Sequence, residues 1–335
     1  MRAPTRSVFY WGVVCACAFV AAGGAFFHAG PAPLGGTRGG GAAPPGDAEF
    51  VRLFEEAAAA RPLLGLASIA FAGLVAAGAI LDLGILWRAA GRRARRRTAP
   101  PPGGEWGLGE VFKAALLFLS IFLALNALAP LFRVLLRGPS DVTLLVLFQL
   151  SAELAAAAFI VAPYRAGGRA VRLGLSPRGA PAAISSGVTA YVCFLPVMIA
   201  LVLLTRLAAR RAGVALEPQA PIAFFFADLS RPALAALALF VAVLGPVCEE
   251  IFFRGFAYQA VRRRWGRRTA ILATALVFSA LHANAGAFPP ILGLGILLAW
   301  VFEDTGSLYA PIALHVCQNG MAVAVGLLLR SLARA

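Results

Sequence analysis

Glu249, Glu250 and Arg254 place three charged side chains within six residues, inside an apolar run from Ala233 to Ala260. One such group at mid-bilayer costs about 2.5–3.5 kcal/mol on insertion scales, so three together require mutual pairing or a polar cavity. Downstream, His282 ends the apolar stretch Phe278-Ser279-Ala280-Leu281-His282, and His315 and Asn319 interrupt another. The chain has 3 histidines, and two of them stand here. Carboxylate, imidazole and amide are the groups needed to activate water and to stabilise an oxyanion. A buried hydrolytic site is the chemistry these residues point to.

Successive helical residues point about 100° apart, so Glu249 and Glu250 do not share a face. Glu250 and Arg254, four apart with the acid first, form a favourable helical ion pair. That leaves Glu249 without an in-helix partner, on the side of Phe252, Phe253 and Phe256, as the candidate for proton transfer. Phe278 and His282 share one helix face, as do His315 and Asn319. A lone intramembrane histidine is as readily a packing residue as a ligand. Together, Glu249, His282 and His315 would make a workable zinc set with a position open for water. Asn319 would either complete that set or donate to an oxyanion. The soluble His-Glu-x-x-His pattern is absent, so the site must be assembled from three helices. Asp82 and Glu153 also fall at membrane depth, and structural hydrogen bonding or cavity lining is the expectation for both.

The elements that must position these groups are read from hydropathy. Apolar residues make up 60% of the chain, charged residues 13%, and the mean hydropathy is +0.82, the profile of a polytopic membrane protein. The net charge of +15 comes from arginine clusters between apolar segments, with no aromatic-interleaved basic face, which argues against nucleic acid as a partner. Five cysteines sit in apolar segments without paired spacing, so neither a disulfide framework nor a cysteine zinc site is expected. Spans are expected near 8–28, 62–87, 108–130, 142–163, 183–205, 232–261, 269–283, 289–303 and 308–329. The first reads as a retained anchor rather than a cleaved leader. Residues 29–48 read as a Gly/Pro loop, 47–60 as a surface helix, and the basic run after Arg88 with its Pro/Gly stretch as a linker. Pro196 is expected to kink the fifth span, Gly293 and Gly295 to allow close helix packing, and residues 303–307 to form a tight turn.

The expectation is an all-α transmembrane bundle of about nine spans in three parts. Residues 1–105 are an N-terminal extension, 106–231 accessory helices, and 232–335 a core whose last four spans carry the site.

At Glu249-Glu250-x-x-x-Arg254, Phe278-x-x-x-His282 and His315-x-x-x-Asn319 the chain resembles the CAAX protease and bacteriocin-processing (CPBP, or Abi) family of intramembrane proteases. Each motif alone is weak, whereas all three in order on three of the last four apolar segments form a specific pattern. The resemblance implies hydrolysis of a peptide bond within a membrane-embedded cavity. It implies that Glu249 and His282 activate water while His315 and Asn319 hold the oxyanion or share a metal, with Glu250, Arg254 and Phe278 in support. The implied setting is the bacterial plasma membrane. The implied substrate is a peptide or membrane protein, including a prenylated CAAX-type C-terminus. Zinc remains an expectation, and no organic cofactor is implied. The competing reading is a non-enzymatic transporter or immunity factor that uses the same cluster as a proton relay or scaffold. It lacks the inverted repeats typical of carriers.

Overall fold

The computed structural model describes residue 52 and residues 62–91, 106–135, 141–166, 173–214, 216, 225–227 and 229–333. The expected first span, Gly/Pro loop and basic linker lie outside these residues, as does the expected surface helix apart from Arg52. Among the described residues the secondary structure is entirely helical. In order, the helices are α1 (Pro62–Gly91), α2 (Leu108–Ala127), α3 (Ala129–Leu135), α4 (Asp141–Ala166), α5 (Ala180–Arg211) and α6 (Arg231–Leu239). They continue with α7 (Gly245–Glu250), α8 (Tyr258–Leu281), α9 (Phe288–Thr305) and α10 (Tyr309–Ala333). Two wide π-helical turns, Phe240–Leu244 and Ile251–Ala257, join α6 to α7 and α7 to α8.

Among the described residues, seven helical stretches are long and apolar enough to cross a bilayer. One of them, Arg231–Leu281, holds the two spans expected at 232–261 and 269–283. Gly266 separates them, with φ 79° and ψ 176°, in the middle of the Arg262–Arg268 run. Only glycine adopts that backbone geometry without strain. All eight spans expected among the described residues are therefore helical.

Proline and glycine explain how the bundle closes. Pro196 lies inside α5, where it removes the donor that the Val192 carbonyl would otherwise receive. Gly78 of α1 packs against that carbonyl: a Cβ there would stand 2.2 Å from Val192 O and 3.1 Å from Pro196 Cδ. Nearby, Asp82 pairs with the Cys193 thiol, the structural role expected of it. Gly293 and Gly295 also serve close packing, as expected. Added Cβ atoms would sit 2.8 Å from Leu201 Cδ1 and 3.1 Å from Ala275 Cα.

The turn expected at 303–307 begins later than anticipated. Helix α9 runs to Thr305 and ends at Gly306 in the left-handed region, φ 65°. Glu303 is consequently helical and fully buried. It accepts hydrogen bonds from Tyr258 (2.8 Å) and Arg262 (2.8 and 3.2 Å), tying the end of α9 to the start of α8.

Candidate active site

Helix α7 is six residues long and carries both glutamates between the two π turns. The first π turn has a local cause. Pro246 cannot donate, and in an α-helix its ring would crowd the carbonyl four residues earlier, that of Ala242. Widening the turn avoids this: the Gly245 N–H bonds the Phe240 carbonyl, five residues back. Such bulges recur at functional sites. At the end of the second π turn the Tyr258 N–H reaches back five residues to Phe253, and the Gln259 amide donates to the Gly255 carbonyl at 2.8 Å.

The ion pair expected between Glu250 and Arg254 is present, with Nη1 2.7 Å from Oε1 and both side chains fully buried. Arg254 Nη2 also donates to the Gly295 carbonyl at 3.2 Å, which anchors α9. Its guanidinium lies 4.6 Å from the Phe278 ring centre and 5.7 Å from that of Phe253, a buried cation–π contact.

His315 brings α10 to the same point. Its Nδ1 lies 2.8 Å from Glu250 Oε1. A carboxylate only accepts, so a ring proton is on Nδ1 and donates to Glu250, which leaves Nε2 as the nitrogen available to a second partner. That nitrogen faces Glu249 Oε2 at 3.7 Å, beyond hydrogen-bond length. The two neighbouring glutamates thus stand at opposite edges of one imidazole.

His282 ends α8, and its Nδ1 donates to the Phe278 carbonyl at 2.8 Å, again leaving Nε2 bare. Both histidines are ring neighbours of Phe278, at 4.9 Å for His282 and 5.7 Å for His315, so one aromatic side chain joins them. Phe278 itself is buried and edge-on to Phe253 at 5.2 Å. The short connection after His282 is held by Ser279 Oγ on the Phe288 carbonyl and by Asn284 Oδ1 on the Ala287 N–H.

Access divides the cluster. Glu250, Arg254 and His315 are sealed, the Glu249 side chain is 30% exposed, and His282 is open. One oxygen each of Glu249 and Glu250 is buried without a protein hydrogen-bond partner. So is one oxygen of Glu153 on α4, whose other oxygen accepts from Gln149 at 2.8 Å. Glu153 is buried and held by that hydrogen bond, the structural role expected of it. Unpaired buried oxygens are costly unless water or a substrate N–H meets them.

Asn319 is one helical turn beyond His315, but its amide is already engaged. Nδ2 donates to the Val241 carbonyl in the first π turn at 2.9 Å. The tautomers of His282 and His315 suit metal ligation, since ligating imidazoles commonly commit the other N–H to an oxygen acceptor. The spacing does not suit it: among the described residues no three His, Cys, Asp or Glu side chains form a metal-holding group. The set Glu249, His282 and His315 is therefore not drawn together as expected, because the His315 ring is fixed by Glu250 and that of His282 by the Phe278 carbonyl.

Sequence reasoning confined Glu250 to the ion pair and missed its hold on His315, 65 residues away. It also missed Gly295 as the acceptor for Arg254, and Glu303. Only Pro246 carried a local signal, a helix-breaking residue beside the glutamates.

Residues 231–321 match the family described as type II CAAX prenyl endopeptidase Rce1-like. A 98-residue stretch is 33% identical to the membrane-embedded CAAX protease MroQ of Staphylococcus aureus (strain USA300). That alignment covers 27% of this chain, which spans 38% of the length of the curated relative it matches. No solved structure matches the chain. All three motifs lie within the matched segment, on helices long and apolar enough to span a bilayer. Through residues 231–321 the chain resembles the CAAX protease family, and its apolar helices are those of a multi-pass integral membrane protein.

Proposed function

We propose that the chain is an intramembrane endopeptidase in which Glu249 is the base. The observation that carries this reading is His315, locked at Nδ1 by buried Glu250 with Nε2 turned to half-open Glu249. A water lying off the 3.7 Å line between Glu249 Oε2 and His315 Nε2 can donate to both. As its oxygen attacks the peptide carbonyl carbon, one proton passes to the Glu249 carboxylate. The same proton is returned to the amide nitrogen as the C–N bond breaks, giving a carboxylic acid and an amine. His315, whose ring proton is held on Nδ1 by the Glu250 carboxylate, accepts the water's other proton in a hydrogen bond at Nε2 and so aligns the attack, with no proton transferred to the ring. His282, from the open side, orients the water through its bare Nε2. Arg254 and Phe278 hold these groups in place without touching the reaction.

The substrate class that fits is a peptide or membrane-protein segment entering from the bilayer, and a farnesylated CAAX-type peptide is the natural probe. Glu249→Gln should abolish its cleavage while leaving insertion and thermal stability unchanged, because this side chain makes no ion pair closer than 3.7 Å. Full activity in that variant overturns the reading. Because Glu250 and the Phe278 carbonyl fix the two imidazoles apart, cleavage should survive chelation; loss of activity on chelation, with recovery on adding zinc, would overturn this metal-free reading.

A further inference from the structure

The Val241 carbonyl joins Pro246 to Asn319. In the first π turn the Phe240 carbonyl is bonded by the N–H five residues on, that of Gly245. The next carbonyl in that register is Val241's, and its donor would be residue 246. That residue is proline, which has no N–H. Asn319 supplies the donor instead, through Nδ2 at 2.9 Å. A carbonyl oxygen only accepts, so it is the amide nitrogen that must face it.

We propose that Asn319 is a positioning residue that replaces the missing N–H of Pro246 and so fixes the wide turn from which Glu249 and Glu250 are presented. The turn sets where α7 points. Returning it to α-helical register would rotate the following residues by most of the angle that separates one helical position from the next. Either glutamate would then lose its edge of the His315 ring. One face of α10 thus reads the position of α7 twice, through His315 at the glutamates and through Asn319 at the turn before them. The amide acts on the reaction through the backbone, not by contact with an oxyanion.

The effect on cleavage rests on the protease reading, whereas the effect on stability does not, so the test uses both readouts. Wild type, Asn319→Ala, Pro246→Ala and the double variant are purified as full chains in detergent. Each is assayed for cleavage of a farnesylated CAAX peptide and for its thermal unfolding midpoint. Asn319→Ala should lower cleavage at least about tenfold and lower the midpoint. Alanine at 246 restores an N–H in register with the Val241 carbonyl. The double variant should therefore return to within about threefold of wild-type cleavage and recover most of the lost midpoint. Asn319→Leu keeps the side-chain volume and serves if the alanine variant does not fold; Pro246→Ala should rescue it equally. If Pro246→Ala leaves both defects unchanged, the inference is wrong. Pro246→Ala alone reports the register. If it cleaves as wild type yet the double variant regains the midpoint without cleavage, Asn319 touches the reacting atoms and the positioning role is overturned. Loss of cleavage in Pro246→Ala alone marks a return to α register and leaves the coupling of midpoints to decide. Should wild type itself leave the peptide uncut, the protease reading fails, and the coupling of midpoints alone decides the inference.

Discussion

Replacing Glu250 by glutamine tests two roles in one residue. The carboxylate is fully buried and bonds Arg254 at 2.7 Å and His315 at 2.8 Å through the same oxygen. Glutamine keeps the shape and removes the charge, leaving the Arg254 guanidinium fully buried without a counter-ion. Breaking one side of such a pair costs about 3–5 kcal/mol. At roughly 2–4 °C per kcal/mol, the unfolding midpoint in detergent should fall by on the order of 10 °C. Cleavage per folded molecule should fall further. A glutamine amide can turn an N–H toward His315 Nδ1 and select the opposite tautomer, which puts a proton on the Nε2 that faces Glu249. Loss of an equivalent orienting carboxylate in a serine-protease triad lowers kcat about 10⁴-fold, which sets the scale. The double variant Glu250→Leu with Arg254→Met separates the roles. Exchanging a buried ion pair for apolar groups is often neutral or stabilising, so the midpoint should return while cleavage stays lost. Glu249→Gln should show the mirror image, wild-type stability without cleavage. A Glu250→Gln variant that melts with wild type, or an active double variant, would refute the reasoning.

Two glycine substitutions probe the packing behind the site. Gly295→Val places a side chain 3.1 Å from Ala275 Cα and displaces the carbonyl that receives Arg254 Nη2. It should lower both midpoint and cleavage, and overpacking of this kind typically costs about 1–3 kcal/mol. Gly78→Leu meets the Val192 carbonyl at 2.2 Å, so α1 should separate from α5. Limited proteolysis should then release α1, with cleavage by the folded protein less affected than in Gly295→Val.

The sequence carries more of the site's inventory than of its wiring. Four-residue spacings within single helices were readable: Glu250 with Arg254, Phe278 with His282, His315 with Asn319. Each of these follows from helical geometry alone. The eight spans among the described residues were readable too, because apolar length reports the bilayer directly. What escaped were bonds whose second partner is a backbone oxygen or a residue on another helix. The Val241 carbonyl, the Gly295 carbonyl and the Glu250–His315 contact leave no trace in residue types. Glu303 was misplaced for a related reason: Asp304-Thr305-Gly306-Ser307 has turn composition, and only the position of the left-handed Gly306 shows that the helix persists to Thr305.

The adjacent glutamates are the more instructive case. Their side chains do leave α7 about 100° apart, and on a helix that separates two faces. It does not separate two roles when the partner is an imidazole, whose nitrogens lie at different edges of the ring. One face of α7 takes Nδ1 through Glu250, and the next opens toward Nε2 through Glu249. Adjacency is therefore what the geometry needs. An interval of four would put both acids on one edge, and the ring could serve as an oriented partner to only one of them. The Glu-Glu pair, with the arginine that bonds the buried member, is a device for holding one histidine from two sides.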